Sequence, residues 1–183
     1  GKKKAFNITY DDGVLQDVRF VAMLNKYGIK GTFNLNSELM ENEFSWIHPN
    51  GMQVKRLSVE NVKLLYDGHE VAVHTLTHPN LTTLDEAEVV RQVEQDRINL
   101  SELVGYEVEG MAYPCGGVNN DDRVAKIIKE NTGVKYSRTI KGNECFDLQD
   151  NLYRFDPTIH VLKFDRLFEL GKEFLNCESE KPQ

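Results

Sequence analysis

Apolar positions along this chain follow two periods in turn, one near two residues and one near 3.6, from end to end. Residues 4–10 alternate, with Phe6, Ile8 and Tyr10 on one face, and predict a strand. Residues 15–27 place Leu15, Val18, Val21, Ala22 and Leu24 at helical spacing, and Gly28 closes that helix. A second strand is predicted over 31–36. Ser58 opens a short helix that ends at Gly68, and 70–73 gives a third strand. Thr83 and Glu86 are spaced as a capping box ahead of a long helix with the stripe Val89, Val93, Leu100 and Val104. A strand over 108–113, a helix over 121–131 stopped by Gly133, and a strand over 134–137 follow. A strand over 158–162 and a helix over 165–176 complete the pattern.

Strands and helices in alternation predict an α/β fold, with a parallel sheet either open or closed into a barrel. About six strands are legible, fewer than the eight of a closed (β/α) barrel. Residues 38–57 form a long link carrying the only tryptophan, Trp46. Such links either border a site or are surface excursions.

Composition narrows the function classes. A chain of 183 residues suits a single domain spanning 1–183. Lys and Arg number 22 against 29 Asp and Glu, a net charge of −7. That balance excludes nucleic acid as the main partner, since such binding rests on neutralising phosphates. Cys115, Cys145 and Cys177 are odd in number and widely spaced, so they make no disulfide framework and suit a reducing compartment. No apolar run approaches the roughly 20 residues of a membrane span. With no signal peptide visible, the expectation is a cytoplasmic location, unless a leader has been removed ahead of Gly1.

The candidate chemistry falls at strand ends. Asp11-Asp12-Gly13 follows the first strand and His74-Thr75-Leu76-Thr77-His78 the third. Tyr113-Pro114-Cys115-Gly116-Gly117 follows the fourth, Arg138 the fifth, and His160 sits on the last. In parallel α/β folds the site lies at the carboxyl ends of the strands. Pro79 and the preceding strand put His74 and His78 on a strand end and turn, where two imidazoles can converge on one ion. The plainer alternative is a pair of histidines that cap or pack. One of the paired aspartates is explained by helix capping, but two are not, because adjacent like charges raise each other's pKa unless a cation intervenes. A cation on one would leave the other free as a base. Two histidines and a carboxylate are also a ligand set of catalytic zinc sites. His160 taken alone reads as a strand-end or core histidine; on the same rim it is a candidate proton donor for a leaving amine.

Together Thr9-Tyr10-Asp11-Asp12-Gly13, His74-Thr75-Leu76-Thr77-His78, Ala112-Tyr113-Pro114-Cys115-Gly116 and Pro157-Thr158-Ile159-His160 resemble the polysaccharide deacetylases, carbohydrate esterase family 4. The resemblance runs from the first strand to about Asn176. It implies a distorted (β/α) barrel of six or seven parallel strands. It implies a divalent metal, zinc before cobalt, manganese or nickel, on Asp12, His74 and His78. Asp11 is then the general base, His160 the general acid, and the stretch Tyr113, Pro114 and Cys115 the substrate and oxyanion segment. The implied substrate is an N- or O-acetylated sugar or polysaccharide.

Three departures accompany the resemblance. Ala112 stands where the family usually has an arginine that steadies the base, and Arg138 at the next strand end is the expected replacement. Cys115 stands where the family usually has tyrosine. The chain stops where a further strand is normal, so the last barrel strand is expected to be missing or the barrel more open. Two alternative functions stand beside deacetylation: hydrolysis of a small amide on the same scaffold, and carbohydrate binding with catalysis weakened.

Overall fold

The computed structural model describes residues 4–40, 45–160 and 164–178. The elements in chain order are β1 (Ile8–Asp11), α1 (Asp17–Tyr27), β2 (Gly31–Leu35), β3 (Ser45–Ile47), β4 (Gln53–Lys55), α2 (Val59–Leu65) and β5 (Glu70–Val73). They continue as α3 (Glu86–Val90), α4 (Asp96–Val104), β6 (Gly110–Ala112), α5 (Asp122–Asn131), β7 (Tyr136–Arg138) and α6 (Phe164–Asn176). Strands β1, β2, β5, β6 and β7 lie side by side in that order, every neighbouring pair parallel. The sheet curls into a half-barrel, the expected distorted (β/α) barrel short of strands.

The strands sort their side chains by face, as a period of two requires. Phe33, Leu35, Val71, Val73, Met111 and Tyr113 point outward and are buried. They meet Val21 and Leu24 of α1, Val62 of α2, the Val89, Val93, Leu100 and Val104 stripe, and Val124 and Ile128 of α5 in one core. Phe33 packs 4.5 Å from the Tyr66 ring and edge-on to His69. Truncating such a side chain to alanine costs about 3–5 kcal/mol. The inward face is polar instead. Asn34 Nδ2 donates to Thr9 Oγ1 at 2.8 Å, Thr32 to Glu70 at 2.5 Å, and Tyr136 to Glu70 at 2.6 Å.

Several expected boundaries shift. The first strand begins at Ile8, and Lys4 leaves it to donate to the Phe174 and Leu175 carbonyls near the end of α6. Leu81–Thr83 already forms a 3₁₀ turn, so the long helix is capped not by Thr83 but by Asp85, whose side chain accepts from Glu88 N. That helix is interrupted by a π-turn over Arg91–Gln95. Ser58 sits at the helix start, but its hydroxyl accepts from Asn61 Nδ2 rather than from the backbone. Residues 38–57 hold an unforeseen hairpin, β3 against β4. The strand expected over 158–162 is irregular backbone through His160, and residues 161–162 lie outside the described residues. No helix is long and apolar enough to cross a membrane among the described residues.

Candidate active site

The sheet registers bring the predicted residues to one level. Asp11 pairs with Asn34, Asn34 with Ala72, and Ala112 with Arg138. Just past those ends the backbone leaves β space. Asp12 (φ 82°), Thr75 (φ 70°), His78 (φ 61°) and Cys115 (φ 69°) are four of the five non-glycine residues with positive φ among the described residues. This left-handed conformation costs energy for residues with a Cβ, and its clustering marks a functional site. Gly13 shares it at φ +60°, where a Cβ would lie 2.9 Å from Leu35 Cδ2, so the turn after the paired aspartates needs glycine.

Those turns assemble a three-donor cluster. Asp12 Oδ1 lies 3.6 Å from His78 Nε2 and 4.0 Å from His74 Nε2, and one donor atom from each residue falls within 4.8 Å of the others. Zinc bonds of about 2.0–2.1 Å put tetrahedral donors about 3.4 Å apart, so closing on an ion needs side-chain movement of up to about an ångström. The surroundings fit a cation. His74 is buried, and its Nδ1 sits 2.9 Å from the Ala112 carbonyl, which fixes the ring with Nε2 facing the cluster. Burial and the neighbouring His74 push the His78 imidazole below its ordinary pKa, against the pull of Asp12. A neutral ring is the form that ligates metal.

The loop between the histidines is held from behind. Leu76 is fully buried and donates its N–H to the Gln92 carbonyl at 3.0 Å. The Gln92 side chain accepts from Thr77 N and donates to Thr77 Oγ1. Gln92 lies in the π-turn, a helix irregularity frequent at functional sites. Buried Asp96 accepts from Ser37 N at 2.8 Å and His74 N at 3.2 Å.

Beside the cluster stands the second aspartate. Asp11 is gripped by Arg138, whose Nη2 donates to Oδ1 at 2.5 Å and Oδ2 at 2.7 Å, while Asn34 Nδ2 donates to Oδ1 at 2.8 Å. Burial pushes the Asp11 carboxyl up, but His74, Arg138 and Asn34 outweigh it and hold it below the usual carboxylate range.

The remaining predicted residues divide. Cys115 Sγ lies 3.4 Å from the His78 carbonyl and 3.8 Å from its Nδ1, so this segment borders the cluster. Asn119 ties the turn by donating to the Tyr113, Pro114 and Cys115 carbonyls. The Tyr113 side chain is turned away: it is buried in the outer core and donates to the Tyr153 carbonyl. His160 is exposed, on backbone that runs beside residues 142–144. Arg56, Asn36, Asn34, Gln92 and Asp96 were missed by sequence reasoning. A signal existed for two of them: Thr32, Asn34 and Asn36 are polar at every second position of an otherwise apolar strand. All three cysteines are free.

An acid clamped by arginine next to a histidine–carboxylate cluster, at the open end of a curled parallel sheet, defines a hydrolase-type site. Residues 1–136 match the polysaccharide deacetylase family, and the chain belongs to it, within carbohydrate esterase family 4. It is similar to the peptidoglycan-N-acetylglucosamine deacetylase of Bacillus cereus, 31% identical over 115 residues, covering 61% of this chain and 36% of the relative. It is also similar to a chitin deacetylase of a Pestalotiopsis species, 30% identical over 115 residues, covering 62% of this chain and 35% of that one. The matched stretch thus spans about a third of these relatives' length. Among solved structures, IcaB from Ammonifex degensii superposes with a TM-score of 0.71 at 16% identity, covering 90% of this chain and 71% of that one, a likeness of fold.

Proposed function

We propose that this protein is a metal-dependent hydrolase that removes acetyl groups from an acetylated sugar or polysaccharide. The observation that supports it most is the meeting of Asp12, His74 and His78 beside an arginine-clamped Asp11. Zinc is the preferred ion, and the mixed nitrogen and oxygen donors would also accept cobalt, manganese or nickel. An ion held there would supply Lewis acidity and lower the pKa of bound water toward about 7.

This chain's residues do the rest. Asp11, ionised at neutral pH, takes the proton of the attacking water. Arg138 fixes the carboxylate's orientation, its Nη2 shared between both oxygens and its Nη1 anchored on the Thr139 carbonyl. The backbone N–H of Cys115, aimed by the left-handed turn, holds the developing oxyanion; losing one such donor costs about 3 kcal/mol. His160 returns a proton to the departing nitrogen or oxygen, a role that rests on the family resemblance. The activities for which the relatives are named, on chitin and on the N-acetylglucosamine of peptidoglycan, favour an N-acetylated aminosugar polymer. The test is acetate release from chitin oligomers and peptidoglycan fragments, with zinc and with a chelator. Acetate released from neither, or equally with and without metal, contradicts the proposal.

A further inference from the structure

Arg56 follows β4 in the long link, and its backbone is pinned to the first motif by a bridge to Val14 and by Leu57 N donating to Gly13 O at 2.8 Å. Its side chain is 5% exposed and lies over the Trp46 ring, with Cζ 5.5 Å from the centroid. Nη1 donates to the Asp12 carbonyl at 2.6 Å and to Asn36 Oδ1 at 2.7 Å, and Nη2 reaches Asp12 Oδ1 at 3.2 Å. Asn36, 1% exposed, passes the connection on: Nδ2 donates to the His74 carbonyl at 2.5 Å and the Thr75 carbonyl at 2.9 Å. One continuous hydrogen-bonded path therefore joins the left-handed Asp12 to the left-handed turn after His74.

We propose that Arg56 and Asn36 are positioning residues, a two-part strut that sets the spacing between Asp12 and His74 and so sets how tightly the cluster holds a divalent cation. The inference rests on the metal-binding reading above. Both strained backbones are held open by carbonyl acceptors that the strut alone supplies with side-chain donors among the described contacts. Charge argues against Arg56 being there for attraction, because a guanidinium 3.2 Å from a ligand oxygen repels a cation. Geometry is what it contributes.

The experiment measures zinc affinity by competition with a chromophoric chelator for the wild type, Arg56→Lys, Asn36→Ala and the double variant. Arg56→Lys keeps the charge and loses the fork; Asn36→Ala changes no charge. Circular dichroism and melting of the metal-free proteins report folding separately, and Arg56→Lys carries the test if the buried Asn36→Ala does not fold. Each single variant is expected to bind zinc about tenfold more weakly. The double variant is expected to be little worse than either, as members of one coupled path behave. Unchanged affinity, with or without a lower melting temperature, assigns a merely structural role and overturns the strut. Losses that multiply in the double variant overturn it too, because the two residues then act separately. A wild type that binds no zinc overturns the metal reading itself, and is thereby told apart from failure of the strut alone.

Discussion

Arg138 holds both carboxylate oxygens of Asp11, at 2.5 and 2.7 Å, across 127 positions of sequence. The arginine enters from β7, one strand over from Ala112, where the family usually supplies it. A guanidinium of the same charge thus reaches the same acid from a neighbouring strand end.

Removing that grip is expected to act on turnover and not on folding alone. Arg138→Ala should lower kcat for acetate release about a hundredfold, within the range of general-base effects. Arg138→Lys should recover part of it, since an ammonium keeps the charge but not the second nitrogen that anchors the guanidinium on the Thr139 carbonyl. A kcat for Arg138→Ala within twofold of wild type would show that Asp11 needs no such partner.

Asp11 and Asp12 are neighbours with different predicted duties, and substitution separates them. Asp11→Asn should bind zinc as tightly as wild type yet lose roughly 10²–10⁴ in kcat. Asp12→Ala should lose the metal first. Titration of both variants with zinc, beside their acetate release, checks this; equal loss of metal in both would erase the distinction.

The three clustered donors were legible because each motif is local and sits after a predicted strand. Asp12, His74 and His78 needed only the α/β rule that strand ends converge. The supporting shell was not, because its partners are distant: Arg56 meets Asp12 across 44 positions and Asn36 meets His74 across 38. Nothing in a lone arginine after Lys55 says where it folds to, although the long link around it was recognisable as a candidate border of the site. Local competition explains the cap that moved. Asp85 and Glu88 repeat the spacing of Thr83 and Glu86, and the 3₁₀ turn at Leu81–Thr83 consumes the earlier pair. The strand expected around His160 is absent through His160, where the Pro157 and Thr158 carbonyls accept instead from Asn143 and Glu144 of a neighbouring loop.

Metal should stabilise the fold as well as serve the reaction, because the three donors come from two loops that the unfolded chain does not hold together. Zinc at about 100 times its Kd adds about 2.7 kcal/mol by mass action. In a domain of this size that raises the melting temperature by roughly 5–10 °C. A chelator should reverse the shift, and Asp12→Ala should lose most of it. A melting temperature indifferent to zinc would count against a site among these residues.

A last prediction concerns Asp17, which opens α1 five positions after Asp12. It is fully buried, and the Tyr66 hydroxyl donates to its Oδ2 at 2.5 Å, while Oδ1 has no partner among the described residues. Burial pushes its carboxyl up to about 7, with the Tyr66 bond pulling the other way. The folded protein therefore binds a proton there that the unfolded chain, with the ordinary value of 3.8, releases above about pH 4. By linkage the contribution is full below about pH 4, falls as pH rises toward 7, and is flat beyond, a ceiling of a few kcal/mol. Asp17→Asn removes the titration while keeping an acceptor for Tyr66. Urea unfolding between pH 4.5 and 8 should show wild type losing stability relative to Asp17→Asn across that window. A constant difference over the whole range would mean that Asp17 is ionised in the folded protein, and that the short contact with Tyr66 is a bond to a buried anion.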